Sequence, residues 1–509
     1  MYRRLLKRLN EQKQRASDEY EIKRSKSLTK MVETINNIVG ESDDIVQRDF
    51  KIGGQLKASL FFVDGLAFDS GIEDRIIKPL IYFADINKEL TSHQLVEHLL
   101  TEVVTFIEVS EKETFDEAIL SLMSGETLLV IDGIDKLILF ETRQYNQRSI
   151  EEPESEVIVR GPRDGFNEVL HTNVMLIRRR LRDPNLTVQF GQLGRRSKTD
   201  FAIVYLKGIT NQDLVEEVRY RLSCLDMDIT METGVIEQYI EENVLSPFPQ
   251  LLRTERPDKT IIALTSGKVV VVLDGTPFIL MAPVTFSDLM RATEDNYDRW
   301  HISSFVRLLR YFAAAIAVFL PGLYIAIVSY HQGMIPTVIA LSIASTREGV
   351  PFPAFIEAFL MEITFELLRE AGIRLPRPIG QTIGIVGGLV IGDAAVRAGI
   401  VSPVMVIVVA VTAIASFAIP AYNVSITFRI LRFLVMISAA FLGLFGIVIS
   451  YILINIHLVG LRSFGSYYTS PFAPYKFGEW LDLMIRGPLI LLKNRPAEPG
   501  VLDKKKKDM

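Results

Sequence analysis

The stretch IGQTIGIVGGLVIGDAAVRAGIV, residues 379–401, decides the class of this protein because it is almost uniformly apolar. A helix needs about 20 such residues to cross a hydrocarbon core of ~30 Å. Three further apolar runs of similar length cover residues 308–330, 403–422 and 433–456. Soluble helices of this length carry a polar face, and these runs do not. The sequence therefore predicts an all-α, polytopic membrane domain over residues 301–461.

The number of crossings depends on two further segments. Residues 335–345 are too few to cross, and residues 351–375 carry Glu357, Glu362 and Glu366, which are costly at membrane depth. We expect the second segment in the interface, in a re-entrant loop or facing a watery cavity, which leaves four crossings; six result if both segments cross. The charged first 30 residues and the lysines at 504–507 predict that both ends are cytoplasmic.

Composition excludes several classes of function. The net charge of −5 gives no argument for nucleic-acid binding, and the single cysteine, Cys224, rules out an intramolecular disulfide. The six histidines are scattered, and no phosphate loop or nucleophile motif is present. We therefore expect no enzyme activity, no catalytic residues, no metal site and no cofactor.

The run at 379–401 contains two sets of candidate residues. Gly380, Gly384, Gly388 and Gly392 recur at every fourth position and predict a ridge for close helix packing. The other set comprises the pore-lining candidates Thr382, Val386, Val390 and Asp393, because valine rings form constrictions that gate by dewetting. Asp393 is also expected to pair with Arg397 four residues later. Arg429 and Arg432, by contrast, lie at the start of the last apolar run, where arginines can extend to lipid headgroups.

The soluble part contains an internal repeat. Gly65 and Gly208 are 143 positions apart, and Gly133 and Gly275, in the similar runs 124–133 and 266–275, are 142 apart. A near-constant offset favours duplication over a chance likeness of strand–turn–strand units. The Asp-Gly pairs at 132–133 and 274–275 predict tight hairpins. We expect two similar α/β subdomains, over about 57–145 and 198–284.

The predicted organisation has six parts. They are a charged helical arm (1–50), a first α/β subdomain (51–150), a linking segment (151–197), a second α/β subdomain (198–300), the membrane domain (301–461) and a cytoplasmic tail (462–509). The helical arm is either solvated or in contact with lipid headgroups.

The linking segment holds the most distinctive soluble motif, RGPRDGF at 160–166, followed by a helix that ends in three arginines. Cations in a last helical turn offset the helix dipole, which is the structural interpretation. The functional interpretation is a set of ion pairs between neighbouring subunits. Its candidates are Glu151, Glu152, Arg160, Arg163, Asp164, Arg178, Arg179 and Arg180.

Several motifs together resemble the A subunits of GerA-type spore germinant receptors. They are EEP at 151–153, RGPRDGF at 160–166, IRRR at 177–180, SPFPQ at 246–250, DRW at 298–300, LPGLY at 320–324, REGVPFP at 347–353 and GIVSP at 399–403. The resemblance covers residues 45–495, and Asp164 stands where that family is expected to have glutamate.

The resemblance implies a multi-pass protein of the spore inner membrane whose large N-terminal domain faces the spore core. It implies a transporter-like B subunit and a lipoprotein C subunit as partners, and a homo-oligomer, a pentamer, around a cation-conducting pore. By the same resemblance, nutrient binding, chiefly at the B subunit, is expected to open this pore, release monovalent cations and start germination.

Two other functions are open. A secondary transporter subunit normally shows inverted repeats within the membrane part, whereas the repeat here lies in the soluble part. An accessory paralogue of the stage V sporulation AF type, which amplifies ion release, differs only weakly in sequence from a receptor subunit, and neighbouring genes for B and C subunits would discriminate between them.

Overall fold

The structure, a computed structural model, describes residues 25–82, 109–143, 151–376, 388, 390–482, 484–488 and 490–506. Its chain divides into two compact units. Unit 1 comprises Met1–Glu242, Leu251–Pro283 and Lys493–Met509, and unit 2 comprises Asn243–Gln250 and Val284–Leu492.

Unit 1 contains two five-stranded antiparallel sheets. The first has the order β1-β2-β4-β5-β3, and its strands are Ile45–Ile52, Leu56–Val63, Val109–Lys112, Thr127–Ile131 and Leu137–Phe140 for β1 to β5. The second has the order β6-β7-β9-β10-β8, and its strands are Leu186–Leu193, Thr199–Leu206, Leu252–Thr254, Val269–Leu273 and Ile279–Ala282 for β6 to β10. Strand by strand the two orders are the same. The predicted pair of similar α/β subdomains is confirmed.

Helices accompany the strands at matching places. They are α1 (Leu28–Val39), α2 (Asp69–Ile72), α3 (Lys78–Tyr82), α4 (Phe115–Leu122), α5 (Leu170–Arg180), α6 (Gln212–Ser223), α7 (Thr233–Ile240) and α8 (Pro257–Thr265), with a π-helical turn at Glu73–Ile77. α1 precedes the first sheet as α5 precedes the second, and α4 precedes β4 as α8 precedes β9. Each repeat therefore includes a helix before its first strand.

The Asp-Gly pairs at 132–133 and 274–275 do not form two-residue hairpins; their aspartates cap helices instead. β4 and β5 do form a hairpin, as do β9 and β10, but each connection is longer than two residues. The Asp132 carboxylate accepts from the Leu28 backbone N–H at 3.1 Å, and that of Asp274 accepts from Leu170 at 3.0 Å. Gly133 has φ +81°. The aspartates therefore cap the first turns of α1 and α5, where backbone N–H groups need partners.

Residues 28–39, which the sequence places in the charged arm, belong to the core of unit 1. Met31, Ile35 and Val39 follow one another at intervals of four and are buried. An i, i+4, i+8 stripe of this kind is the face by which a helix packs. The C-terminal segment also packs within unit 1, since Leu502 N donates to Ile209 O at 2.9 Å.

Unit 2 is helical. Its helices are α9 (Phe286–Leu289), α10 (Trp300–Tyr330), α11 (Thr337–Arg347), α12 (Ala354–Arg374), α13 (Pro403–Phe417), α14 (Tyr422–Leu442) and α15 (Leu444–Gly460), and residues 390–397 are also helical. A short hairpin of β11 (Arg462–Ser463) and β12 (Ser466–Tyr467) follows α15. α10 and α14 pack closely, because a Cβ on Gly322 would lie 2.8 Å from Val435 Cγ1.

Two predicted spans have different bounds. The apolar run at 433–456 is divided at Gly443, whose φ of +59° ends α14 before α15 begins. The run at 403–422 ends its helix at Phe417. Among the described residues, α10 and α14 are long and apolar enough to cross a membrane, whereas α13 and α15 are shorter apolar helices. Continuous hydropathy hid these breaks, because a glycine and a short turn between helices change the mean hydropathy little.

Candidate functional site

Three of the four acidic residues of α12 form a series of ion pairs inside unit 2, which we call the α12 ladder. Glu357, Glu362 and Glu366 each lie against an arginine of another helix. Glu357 is fully buried, 2.9 Å from Arg347 Nη2 of α11, and its other oxygen accepts from Ser402 N at 3.0 Å. Because Ser402 caps α13, this carboxylate connects α11, α12 and α13.

The other two steps of the ladder connect α12 to α14. Glu362 accepts from Arg432 Nη1, and both side chains are buried. Arg432 also donates from Nε to the Ala317 carbonyl of α10 at 2.8 Å. One helical turn away, Glu366 accepts from Arg429 Nη1. The prediction that Arg429 and Arg432 extend to headgroups is therefore wrong; both are buried and face the acidic side of α12.

The ladder is incompletely hydrogen-bonded. Among the described residues, four of its buried polar atoms have no hydrogen-bond partner: Glu357 Oε1, Glu362 Oε1, Arg429 Nε and Arg432 Nη2. The 2.9 Å contact of Glu357 Oε1 with Arg347 Nη2 is an ion pair without hydrogen-bond geometry. Buried polar atoms normally find a partner, and an exception calls for an ordered water, an ion or a functional strain. The ladder is therefore a group of buried polar side chains, between packed helices of unit 2, that water could complete.

The described part of the glycine-rich run packs near the ladder. A Cβ on Gly388 would lie 3.6 Å from Phe365, and one on Gly392 would lie 3.5 Å from Val406. Val390 is exposed, and Asp393 forms the expected pair with Arg397 at 2.8 Å. The candidates Gly380, Thr382, Gly384 and Val386 lie outside the described residues.

The candidate subunit-interface residues all belong to unit 1, and several have partners within the chain. Arg163 pairs with Glu152 at 3.2 Å, and the Arg180 guanidinium with the Asp164 carboxylate. Arg178 is fully buried and holds the Asp44 carboxylate through Nε at 2.7 Å. Arg178 is therefore closed to a contact with a second copy, since no part of it reaches the surface. Glu151, Arg160 and Arg179 remain largely exposed.

The RGPRDGF loop is organised by a residue that sequence reasoning missed. Arg256, at the N-cap of α8, is buried and donates to the Pro162 carbonyl at 2.8 Å and to Asp258 at 2.9 Å. Gly165 donates to the Glu151 carbonyl at 2.8 Å, and a Cβ there would lie 3.0 Å from the same oxygen. The glycine is required for this close approach. In the sequence, the local signal for this role of Arg256 is its position directly before a proline at the start of a helix.

The SPFPQ motif is likewise explained by packing within unit 2. Phe248 is buried against the rings of Phe428, His457 and Tyr468. Hydroxyl groups hold the carbonyls on either side: Tyr468 donates to Pro249 at 2.9 Å and Ser463 to Gln250 at 2.7 Å. Residues Asn243–Gln250, which include the motif, belong to unit 2, whereas the chain directly before and after them belongs to unit 1. The motif thus anchors a loop of chain on α14 and α15.

No group of three or more potential metal ligands occurs within the ranges that the structure describes. The molecule so defined is a duplicated α/β unit joined to a helical unit with apolar, membrane-length helices and internal ion pairs.

Comparison with known proteins assigns the family. Residues 33–498 match the family model described as Bacillus/Clostridium GerA spore germination protein. Spore germination protein GerLA of Bacillus cereus is 45% identical over 471 residues, covering 92% of this chain and 95% of that protein. Spore germination protein KA of Bacillus subtilis (strain 168) is 40% identical over 482 residues, covering 94% and 88%. The chain belongs to the GerA family of spore germination proteins.

A solved structure is also similar: the crystal structure of the N-terminal domain of the A subunit of the Bacillus megaterium spore germinant receptor GerK3. It is 31% identical, with a TM-score of 0.41, and the match covers 52% of this chain and 97% of that one. The family and the two membrane-length helices together indicate that this chain is associated with a membrane.

Proposed function

We propose that this chain is the A subunit of a nutrient-responsive germinant receptor and forms a ligand-gated cation channel in the spore inner membrane. Several copies, five by the family resemblance, assemble around the pore together with a transporter-like B subunit and a lipoprotein C subunit. The proposal includes no catalytic step. Unit 1 faces the spore core, and the helices of unit 2 cross the membrane more than once.

The α12 ladder is the observation that carries the conduction part of this proposal. Ionisable residues inside a membrane domain are costly and commonly mark ion pathways. In the closed state each carboxylate is neutralised by an arginine, so a cation gains little there. When α12 and α14 separate, the carboxylates of Glu362 and Glu366 become available on one helix, and acidic groups along a path favour cations.

The test is ion flux through vesicles that contain the A, B and C subunits. A panel of amino acids, sugars and nucleosides is added, and release of trapped K⁺ is followed. We expect release with at least one nutrient. Glu362→Gln, which weakens the α12–α14 pair, is expected to raise the nutrient-independent leak about tenfold or more, equivalent to about 1.4 kcal/mol in the closed–open equilibrium. Glu348→Gln, an exposed glutamate of unit 2, is the control and is expected to leave the leak unchanged.

Vesicles that stay ion-tight with every nutrient would contradict a channel and favour an accessory role. The oligomeric state of the detergent-purified chain is the second measurement. A monomer under mild conditions is incompatible with a pore formed by several copies.

A further inference from the structure

A cavity of about 270 Å³ lies beside the α12 ladder, lined by residues of α12 and α14. At ~30 Å³ for each water, it has room for about nine waters. Sites for drug-sized ligands begin at about 300 Å³, so this one suits a smaller molecule. The cavity is partly open to the surface of unit 2.

The charged groups around the cavity balance. Arg369 and Arg429 contribute two guanidinium groups, and Glu366 and Glu370 contribute two carboxylates. A ligand with a net charge would disturb this balance, whereas a neutral ligand that carries both signs would preserve it. Charge complementarity across a site selects for such a match.

The guanidinium side of the cavity has unused donors. Arg429 is buried and gives Nη1 to Glu366, but its Nε has no hydrogen-bond partner among the described residues. Arg369 donates to the Ser416 hydroxyl at 3.1 Å and lies over the Phe417 ring at 4.8 Å. An arginine has five N–H donors in a planar fork that suits carboxylate and phosphate groups. Because both arginines line the cavity, an anionic group there would meet guanidinium donors.

The carboxylate side has unused acceptors. One oxygen of Glu366 holds Arg429, and the other lies 3.8 Å from Arg369 Nη1, too far for a hydrogen bond. The Glu366 side chain is 40% exposed, so a ligand can reach it. The Glu370 carboxylate takes Arg374 through Oε1. A primary ammonium, with three donors, matches these oxygens.

The remaining wall is mostly apolar. Ile373, Ile426, Ile430, Phe433 and Tyr422 line it, and the tyrosine adds one hydroxyl group. An aliphatic group between the charged ends of a ligand would gain about 25 cal/mol for each Å² of apolar surface removed from water.

We propose that this cavity binds a small zwitterion. Its carboxylate or phosphate lies on Arg429 and Arg369, its primary ammonium on Glu366 and Glu370, and its aliphatic part against the isoleucines. Two sources share this chemistry: a free aliphatic amino acid and the ethanolamine headgroup of a phospholipid. Binding at this cavity is independent of whether the chain conducts ions.

The first experiment uses the full-length chain in nanodiscs of phosphatidylcholine and phosphatidylglycerol, with radiolabelled leucine in equilibrium dialysis. Two competitors divide leucine into its charged halves: isopentylamine lacks the carboxylate, and 4-methylpentanoate lacks the ammonium. We expect saturable leucine binding, with each competitor at least tenfold weaker than unlabelled leucine. Equal competition by either half would overturn the zwitterion assignment.

The second arm replaces part of the phosphatidylcholine by phosphatidylethanolamine. If the headgroup is the occupant, the lipid raises the melting temperature of the protein, and leucine does not bind saturably even in ethanolamine-free discs. If a free amino acid is the occupant, leucine binds and the lipid has no effect. Absence of both leucine binding and a lipid effect would overturn the proposal.

Two variants test the position of the site. Ile430→Trp fills the cavity from a half-exposed position and leaves every ion pair intact, whereas Arg429→Gln removes the unpartnered donor. Both are expected to weaken leucine binding, or abolish the lipid effect, at least tenfold. Arg397→Gln, an arginine of an exposed ion pair, is the matched control and is expected to change binding less than twofold. Unchanged binding in Ile430→Trp would place the ligand elsewhere. Because no arm measures ion flux, failure here is distinct from failure of the channel proposal.

Discussion

Arg178 of unit 1 and Arg432 of unit 2 are both buried, but their surroundings differ. Arg178 donates from Nε and Nη2 to the two oxygens of Asp44, at 2.7 and 2.8 Å, and from Nη1 to the Asp183 carbonyl at 3.3 Å. Arg432 is held by Glu362 and the Ala317 carbonyl, while its Nη2 has no hydrogen-bond partner among the described residues. One pair is completed by the protein, and the other is left for water or an ion to complete.

The difference indicates distinct roles for buried charge in the two units. A completed buried pair fixes one arrangement, because breaking it leaves an uncompensated charge. An incomplete pair is easier to separate, because a second arrangement loses fewer hydrogen bonds. We therefore expect unit 1 to respond to charge changes through stability and unit 2 to respond through conformation.

The largest effect is expected at the completed pair. Asp44→Asn leaves the Arg178 guanidinium buried without its counter-charge and should destabilise unit 1 by about 3–5 kcal/mol. Hydrogen exchange of peptides from α5 and β1 in the full-length, detergent-solubilised protein measures this loss. Asp226→Asn, which breaks an exposed pair with Arg195, is the control, with an expected change below about 1 kcal/mol. Equal protection in the two variants would contradict a structural role for Arg178.

Glu237 in α7 adds a buried carboxylate of unit 1 to the comparison. Burial, with smaller contributions from the charges of Glu241 and Glu232, raises the pKa of Glu237 in α7 from 4.5 to about 7, against the lowering effect of Arg253. The folded state therefore holds this proton more tightly than the unfolded state. Its stabilising contribution is complete below pH 4.5 and is lost as the pH rises through 7.

Glu237→Gln removes this dependence. Between pH 5 and pH 8 the variant should gain up to about 3 kcal/mol of local stability relative to the unsubstituted protein, since each pKa unit corresponds to about 1.4 kcal/mol. Hydrogen exchange of α7 peptides at the two pH values measures the difference. A pH-independent difference between the two proteins would show that Glu237 does not titrate in this range.

The smallest effect is expected at the incomplete pair. Glu362→Gln keeps a hydrogen-bond acceptor beside Arg432, and water can complete the remainder, so the loss of stability in unit 2 should be about 1–2 kcal/mol. Thermal unfolding of the full-length protein in nanodiscs, with Asp393→Asn at an exposed pair as the control, measures it. A loss as large as that of Asp44→Asn would remove the distinction between the two units.

Much of the fold could be predicted from the sequence, because its signals are local. The offset of 142 to 143 positions identified the duplication, and the structure extends it to α1 and α5. The stripe Met31, Ile35 and Val39 was a readable signal for α1 that the surrounding charges obscured. The hairpin expected at Asp132-Gly133 was found with a longer connection, because the aspartate caps a helix distant in sequence.

The candidate site was only partly predictable. The acidic residues of α12 were identified as unusual, but their partners were not. Arg429 and Arg432 are three apart and Glu362 and Glu366 four apart, so each pair occupies one helical face. That spacing was available in the sequence, yet nothing in it specified that these two faces meet.

The sequence by itself determined the apolar character of the helical region, the repeated α/β unit and the motifs of the GerA family, because hydropathy and spacing act over short distances along the chain. Only the tertiary structure decided which charges are paired. Glu366 and Arg429 are 63 positions apart, and Glu362 and Arg432 are 70 apart. Whether such a carboxylate is an exposed, solvated group or half of a buried pair depends on which helices pack together, and that packing is the physical origin of the ladder.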